Sequence, residues 1–221
     1  MHTSITRLNQ EIWEQEFKDL WDNLDYLRGI FLIKNILGGK EHFYTYTHSI
    51  HVSLYAYLIG QELMLDAPEL NELVLTALLH DIGKAKVSKT ILLKKGPLTT
   101  EEFGRVKSHV FFGADIIKRI KKFKHLDYNI LCHHERWDGQ GYPFGLKQEE
   151  IPLFSRIVAI ADSYDAMTTE RVYQKRVSQE EALKELTENA NKQFSGELVK
   201  IFKDLILAKK DLNIKSTTQV V

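Results

Sequence analysis

The chain has 221 residues, enough for one well-buried domain with a small helical extension and too few for two large ones. Its 30 basic residues balance 30 acidic ones, so no global field draws it to polymeric nucleic acid or to an anionic membrane surface. Cys132 is the only cysteine, which excludes an intramolecular disulfide framework and fits a reducing compartment. No apolar run approaches the ~18 residues of a membrane span, and the first residues lack the basic flank and apolar core of a signal peptide, so the expected location is the cytoplasm.

From Ile12 to Leu37, Trp13, Phe17, Leu20, Trp21, Leu24 and Leu27 recur at three- and four-residue steps among charged residues, which predicts a helix, with a second after Gly29. Gly38-Gly39-Lys40 reads as a break. From Thr47, His48, Val52, Tyr55, Ile59 and Leu63 share a face, which puts His48 at the start of a helix that Asp66-Ala67-Pro68 ends. The next helix runs from about Glu69 through Leu73, Val74, Ala77 and Leu78 to His80 and Asp81, where Gly83 lets the chain turn away. Lys95-Gly96-Pro97-Leu98 is a turn, and Thr99-x-x-Glu102 is a capping box opening a helix that contains His109. Leu126 to Glu135 continues the helical pattern; two Gly and a Pro then force an irregular loop over Asp138-Gly139-Gln140-Gly141-Tyr142-Pro143. The run from Ile157 to Ala161 reads as a buried helix leading to Asp162, although so short a run also fits a strand. Ser178-x-x-Glu181 caps another helix, Leu198, Phe202, Leu205 and Ile206 mark the last, and Lys209 to Val221 shows no pattern. The fold class is all-α, a helical bundle.

Chemistry concentrates in three segments. Leu78-Leu79-His80-Asp81-Ile82-Gly83-Lys84 sets an imidazole beside a carboxylate, and a carboxylate has two oxygens with which to bridge two ions, whereas an imidazole binds one. His133-His134-Glu135-Arg136-Trp137-Asp138-Gly139-Gln140-Gly141-Tyr142-Pro143 adds two imidazoles before the loop. Ala159-Ile160-Ala161-Asp162-Ser163-Tyr164-Asp165-Ala166-Met167-Thr168 adds carboxylates, with His48 and His109 lying upstream. Singly, each has an ordinary reading: His109 as a packed or surface histidine, His133-His134 as a helix-end charge feature, Asp162 and Asp165 as helix caps.

In order and local context these segments resemble the HD-GYP family, the HD-domain phosphohydrolases whose characterised members cleave cyclic dinucleotides; the resemblance covers roughly residues 40 to 205. It implies an HD-domain bundle with a Gly-Tyr-Pro loop, divided as an N-terminal helical extension (1–39), a catalytic domain (40–208) and a C-terminal tail (209–221). It further implies two divalent ions, iron or manganese, with zinc also compatible with ligands that include no thiolate. His48, His80, Asp81 and Asp162 would hold one ion, and bridging Asp81 with His109, His133 and His134 the other, a hydroxide between them acting as nucleophile. Some relatives carry a Glu four residues before the first His, where it helps hold a third ion; here Tyr44 stands there, a poor ligand unless ionised, so two ions are expected.

By the same resemblance Lys84 neutralises charge on the reacting phosphate, and Arg171 and Lys175 grip phosphate, against ordinary readings as solvent-facing cations. Tyr142 offers a stacking face and a hydroxyl, or serves as scaffold only. Arg136 and Asp138 read as a structural salt bridge, Cys132 as a small buried thiol, and His2, His42, His51 and His125 as solvated or structural. Ser88, Asn189-Ala190-Asn191 and Ser195-Gly196 depart from the family pattern without removing a ligand. The implied function is metal-dependent hydrolysis of cyclic di-GMP, or a related cyclic dinucleotide, to the linear dinucleotide and onward to GMP. Two alternatives stand beside it: another HD-superfamily nucleotide phosphohydrolase, and a catalytically slow nucleotide-binding signalling domain. The N-terminal helices are expected to serve homodimerisation or docking of a regulatory domain, the more so if Trp13, Phe17 and Trp21 stand exposed together.

Overall fold

In the computed structural model, which describes residues 17–39, 43–169 and 176–208, the regular elements are helical, and an isolated bridge pairs Ala190 with Phe194. Arg171, Lys175, Trp13, His2 and His42 lie outside the described residues. The chain opens with α1 (Lys18–Trp21) and α2 (Leu24–Leu37). The break between them is at Asn23 and not near Gly29, because the Asn23 side chain accepts from the N–H groups of Asp25 and Tyr26 and so starts α2. Gly29 sits inside α2, where a Cβ would come within 2.8 Å of Leu78 Cδ2. Phe17 is fully buried, its ring 5.5 Å from that of Tyr57, so the joint exposure of Trp13, Phe17 and Trp21 that would favour docking is not met at Phe17. The apolar side chains that α2 does expose are Leu24, Leu27 and Phe31.

The centre of the molecule is α3 (Phe43–Glu62), in which Ile50 and the unbroken run from Val52 to Ile59 are buried. A helix apolar on nearly every face must be enclosed. It is enclosed by α2, by α4 (Ala67–Leu79), by α9 (Leu153–Thr168) and by α11 (Gly196–Ala208). Because α3 begins at Phe43, His48 lies in its second turn and not at its start. Asp66 and Pro68, read as a stop, instead begin α4: Asp66 forms a capping box with Glu69, and Pro68 occupies the first turn, where its missing N–H goes unneeded.

Past α4 the chain turns through His80 and Asp81 into a 3-10 turn at Ile82–Lys86. Gly83 is required there for proximity, since a Cβ would fall 2.0 Å from the His109 carbonyl oxygen and 2.4 Å from the Gly113 nitrogen. After α5 (Lys89–Leu92), the Thr99 capping box opens α6 (Thr100–Lys107) as expected, but this helix stops at Ser108 and α7 (His109–Lys118) begins there, so His109 occupies a helix start. The segment before the loop is a 3-10 turn and a short helix, α8 (Asp127–Leu131), and His133 and His134 fall in the turn beyond it. Asp162 and Asp165 lie inside α9, so neither is a cap and the strand reading of this run falls. Ser178 caps α10 (Gln179–Glu188) through the expected box with Glu181.

Candidate metal centre

The packing of α3, α4, α7 and α9 brings the side chains of His48, His80, Asp81, His109, His133, His134 and Asp162 into one cluster. Within it, possible ligand atoms of His48, His80 and Asp162 lie within 4.8 Å of one another, as do those of His109, His133 and His134, and those of His80, Asp81 and His133. Asp81 is buried between the groups, its Oδ2 3.4 Å from His80 Nε2 and its Oδ1 3.3 Å from His109 Nε2.

The far nitrogen of each ring fixes what the near one can do. His80, His109 and His133 each place Nδ1 2.6–2.7 Å from the carbonyl oxygen three residues earlier, that of Ala77, Val106 and Ile130. A carbonyl only accepts, so Nδ1 carries the proton and Nε2 is left as a lone pair aimed at the centre, the form that binds metal. His109 and His133 then confront each other Nε2 to Nε2 at 3.3 Å with no proton of their own to share, a repulsion that a cation between them relieves. His80 Nε2 and Asp81 Oδ1 are buried without a hydrogen-bond partner among the described residues. Orphaned acceptors in such number at one point fit a bound cation.

Electrostatics divides the cluster. Burial lowers the pKa of His109 to about 4 and of His134 to about 3, and drives that of His133 well down with help from its neighbouring imidazoles, so all three are neutral ligands at pH 7. On the other side His48 is held by two carboxylates: Nε2 is 3.0 Å from Asp162 Oδ1 and Nδ1 is 2.7 Å from Asp165 Oδ2. Burial opposes its charge, but those hydrogen bonds prevail and raise its pKa to about 9. Burial would likewise raise Asp81, Asp162 and Asp165, yet the Lys84 ammonium for the first and the His48 hydrogen bonds for the other two hold them below the usual carboxylate range. To offer Nε2 to a cation, His48 would have to give up the proton it holds there.

Asp162 keeps 19% of its side chain exposed, on a cavity of about 290 Å³ that also reaches His133 and His134. Its outer wall is the loop after His134. Glu135, buried, accepts from the N–H groups of Phe144, Gly145 and Leu146 at 2.6, 3.2 and 3.1 Å and so draws the loop back over the histidines. Gly141 packs where a Cβ would meet the Arg136 nitrogen at 2.4 Å. Tyr142 thereby stacks on His134, ring centres 4.9 Å apart. Arg136 forms the expected salt bridge to Asp138, at 3.1 and 2.7 Å, and also reaches Gln193.

All seven sequence-expected metal ligands thus converge, and Lys84 joins them through Asp81, 2.5 Å from Nζ to Oδ2. Sequence reasoning missed Asp165 as a partner of His48, the buried His51 that shares it at 3.0 Å, Glu135 as the loop's tie, and Phe103 and Lys107 on the cavity wall. Asp165 carried a signal: it stands three residues after Asp162, on the same side of a helix. His125 faces Glu72 at the surface, and Cys132 is a buried thiol whose pKa burial pushes up to about 11.

A family model described as HD domain matches residues 32–198. The chain is 40% identical over 180 residues to a cyclic di-GMP phosphodiesterase of Thermotoga maritima, which covers 80% of this chain and 49% of that one. It is 43% identical over 146 residues to a cyclic di-GMP phosphodiesterase of Pseudomonas aeruginosa, covering 66% of this chain and 35% of that one. Among solved structures, a cyclic GMP-AMP-specific phosphodiesterase of Vibrio cholerae superposes with a TM-score of 0.61 at 25% identity, over 78% of this chain and 47% of that one. The chain therefore spans half or less of the length of these relatives. The family match runs from α2 into α11 and takes in every member of the cluster, so the chain belongs to the HD-domain family and, within it, to the HD-GYP type.

Proposed function

We propose that the chain hydrolyses a cyclic dinucleotide, cyclic di-GMP foremost, to the linear dinucleotide and onward to GMP. The observation that carries this reading is the convergence of Nε2 lone pairs beside buried Asp81, in a cluster whose His133, His134 and Asp162 open on a cavity that Lys107, Arg136, Phe103 and Tyr142 also line. Its relatives bear names of cyclic di-GMP and cyclic GMP-AMP phosphodiesterases, which supports the substrate class.

His48, His80, Asp81 and Asp162 would hold one ion, and Asp81, His109, His133 and His134 a second. Iron or manganese suits the nitrogen and oxygen donors, and zinc is compatible. The Tyr44 ring lies nearly parallel to His48, 5.7 Å away, which supports a count of two ions over three. When bound, such ions lower the pKa of water and neutralise phosphoryl oxygens. The water oxygen adds to phosphorus, the bond to the ribose oxygen breaks, and that oxygen leaves with the proton that the water has given up. Lys84, hydrogen-bonded to Asp81, would answer the charge that develops on the phosphoryl group. Tyr142 offers a face to a base, and Arg171 and Lys175 would hold phosphate. In this reading residues 40–208 form the catalytic domain and 1–39 the side for a regulatory domain or a second copy, supported by Leu24, Leu27 and Phe31 exposed on α2.

The test is metal quantitation on protein purified without oxygen, with product chromatography on cyclic di-GMP, cyclic GMP-AMP and mononucleotides. Linear dinucleotide from the wild type and none from Asp81→Asn is the expected result. Turnover of mononucleotides alone assigns a different HD-superfamily phosphohydrolase, and tight binding of the cyclic dinucleotide without turnover assigns a signalling domain.

A further inference from the structure

Two cations line the cavity among the described residues, Arg136 and Lys107, and one of them has no carboxylate to answer it. Arg136 is paired with Asp138 and reaches Gln193. Lys107 lines the same cavity, half-buried at the end of α6, yet among the described residues it forms no ion pair: Glu101 and Glu102 of its own helix are taken by Arg105 and Lys94. The remaining acids at the cavity are also engaged, Glu135 by three backbone N–H groups and Asp162 by His48.

Aromatic faces hold this ammonium instead. Its Nζ lies 4.8 Å from the ring centre of Phe103 and 4.8 Å from that of Tyr142. Since Tyr142 stacks on His134, a row forms: metal-ligand histidine, tyrosine ring, ammonium, phenylalanine ring. Cation–π contacts fix the position of a charge without neutralising it. The result is a fixed, partly desolvated positive charge one ring beyond the metal cluster, able to take a hydrogen-bonding anion.

We propose that Lys107 anchors the second, non-reacting phosphate of the substrate, and so selects molecules with two phosphodiesters. The inference rests on the cyclic-dinucleotide reading above. A cyclic dinucleotide carries two phosphodiester charges; the cluster beneath His134 and Asp162 engages one, and the other requires a cation set apart from it. The flanking Tyr142 and Phe103 rings offer the bases stacking surfaces on either side.

The test compares wild type, Lys107→Met and Lys107→Arg in the manganese-loaded full chain on two substrates, cyclic di-GMP with two phosphodiesters and bis(p-nitrophenyl) phosphate with one. Thermal melting first establishes that each variant is folded. Loss of a charge-assisted hydrogen bond predicts a rise in KM for cyclic di-GMP of about 10- to 100-fold in Lys107→Met, with kcat nearly unchanged, and recovery in Lys107→Arg. Kinetics on bis(p-nitrophenyl) phosphate stay level across all three. An unchanged KM for cyclic di-GMP in Lys107→Met, or an equal loss on both substrates, overturns the role of Lys107 and leaves the cyclic-dinucleotide reading intact. Wild-type cleavage of bis(p-nitrophenyl) phosphate with none of cyclic di-GMP overturns the reading and the anchor together.

Discussion

The two sides of the cluster orient their histidines by different means. Around His48 the partners are carboxylates: Asp162 on one nitrogen, Asp165 on the other, with His51 and Thr169 also bonded to Asp165. Around His80, His109 and His133 they are main-chain carbonyls of the preceding turn. The first side is charged, with His48 raised to about 9; on the second, burial lowers His109 to about 4 and holds His133 well below the usual histidine value. Side-chain partners can be removed by substitution one at a time, whereas the carbonyl-held side answers only to movement of the backbone.

That contrast is broken most severely at Gly83. The 3-10 turn carrying the His80-Asp81 pair touches α7 through this residue, and a Cβ would overlap the carbonyl oxygen of His109 itself. Gly83→Ala must therefore push His109 away from Asp81. Overpacking against backbone, which cannot change rotamer, is expected to cost about 3 kcal/mol in chemical denaturation. Bound metal should fall on the carbonyl-held side, and a variant with wild-type stability and full metal content would show that the close approach is not required.

A smaller and more selective effect is expected at Asp165. Asp165→Asn keeps the volume but removes the charge that accepts from His48, so the ring loses its preferred orientation while His109 and His133, held by carbonyls, keep theirs. Loss of such a partner typically weakens metal binding about 10- to 100-fold. Titration with manganese should then resolve one weakened site and one unaltered site. Equal weakening of both would mean that the sides are not independent, and the distinction drawn from their hydrogen bonds would fail.

The same contrast explains what could be read from the chain. Adjacent ligands, His80-Asp81 and His133-His134, declare themselves because proximity in sequence guarantees proximity in space. The capping boxes at Thr99 and Ser178 were legible for a like reason, being local chemistry. The box at Asp66 was obscured by Pro68, which stops a helix from within but is tolerated in a first turn. The interruption at Ser108 has no Gly or Pro to mark it, and the exact placing of His109 comes from packing against Gly83. Asp165 read as a cap and His51 as solvated or structural without a partner, because their pairing exists only once α3 lies against α9. The aromatic cradle of Lys107 likewise requires the loop to fold back before Tyr142 reaches it.

That folding back depends on Glu135, which separates the loop's contribution from that of both sides of the cluster. Two carboxylate oxygens accept three backbone N–H groups, Oε1 from Phe144 and Gly145 and Oε2 from Leu146. In Glu135→Gln one oxygen becomes an NH2 group that donates, so one end of the side chain must face an N–H with a donor of its own. A buried donor left unmatched costs about 1–3 kcal/mol, and that cost falls on the loop alone, since Glu135 touches no metal ligand through these bonds. Metal content should stay at the wild-type level while KM for cyclic di-GMP rises as Tyr142 loosens over His134. If metal is lost as well, the loop is part of what holds His133 and His134 in place, and the carbonyl bond of His133 is not sufficient to orient that side.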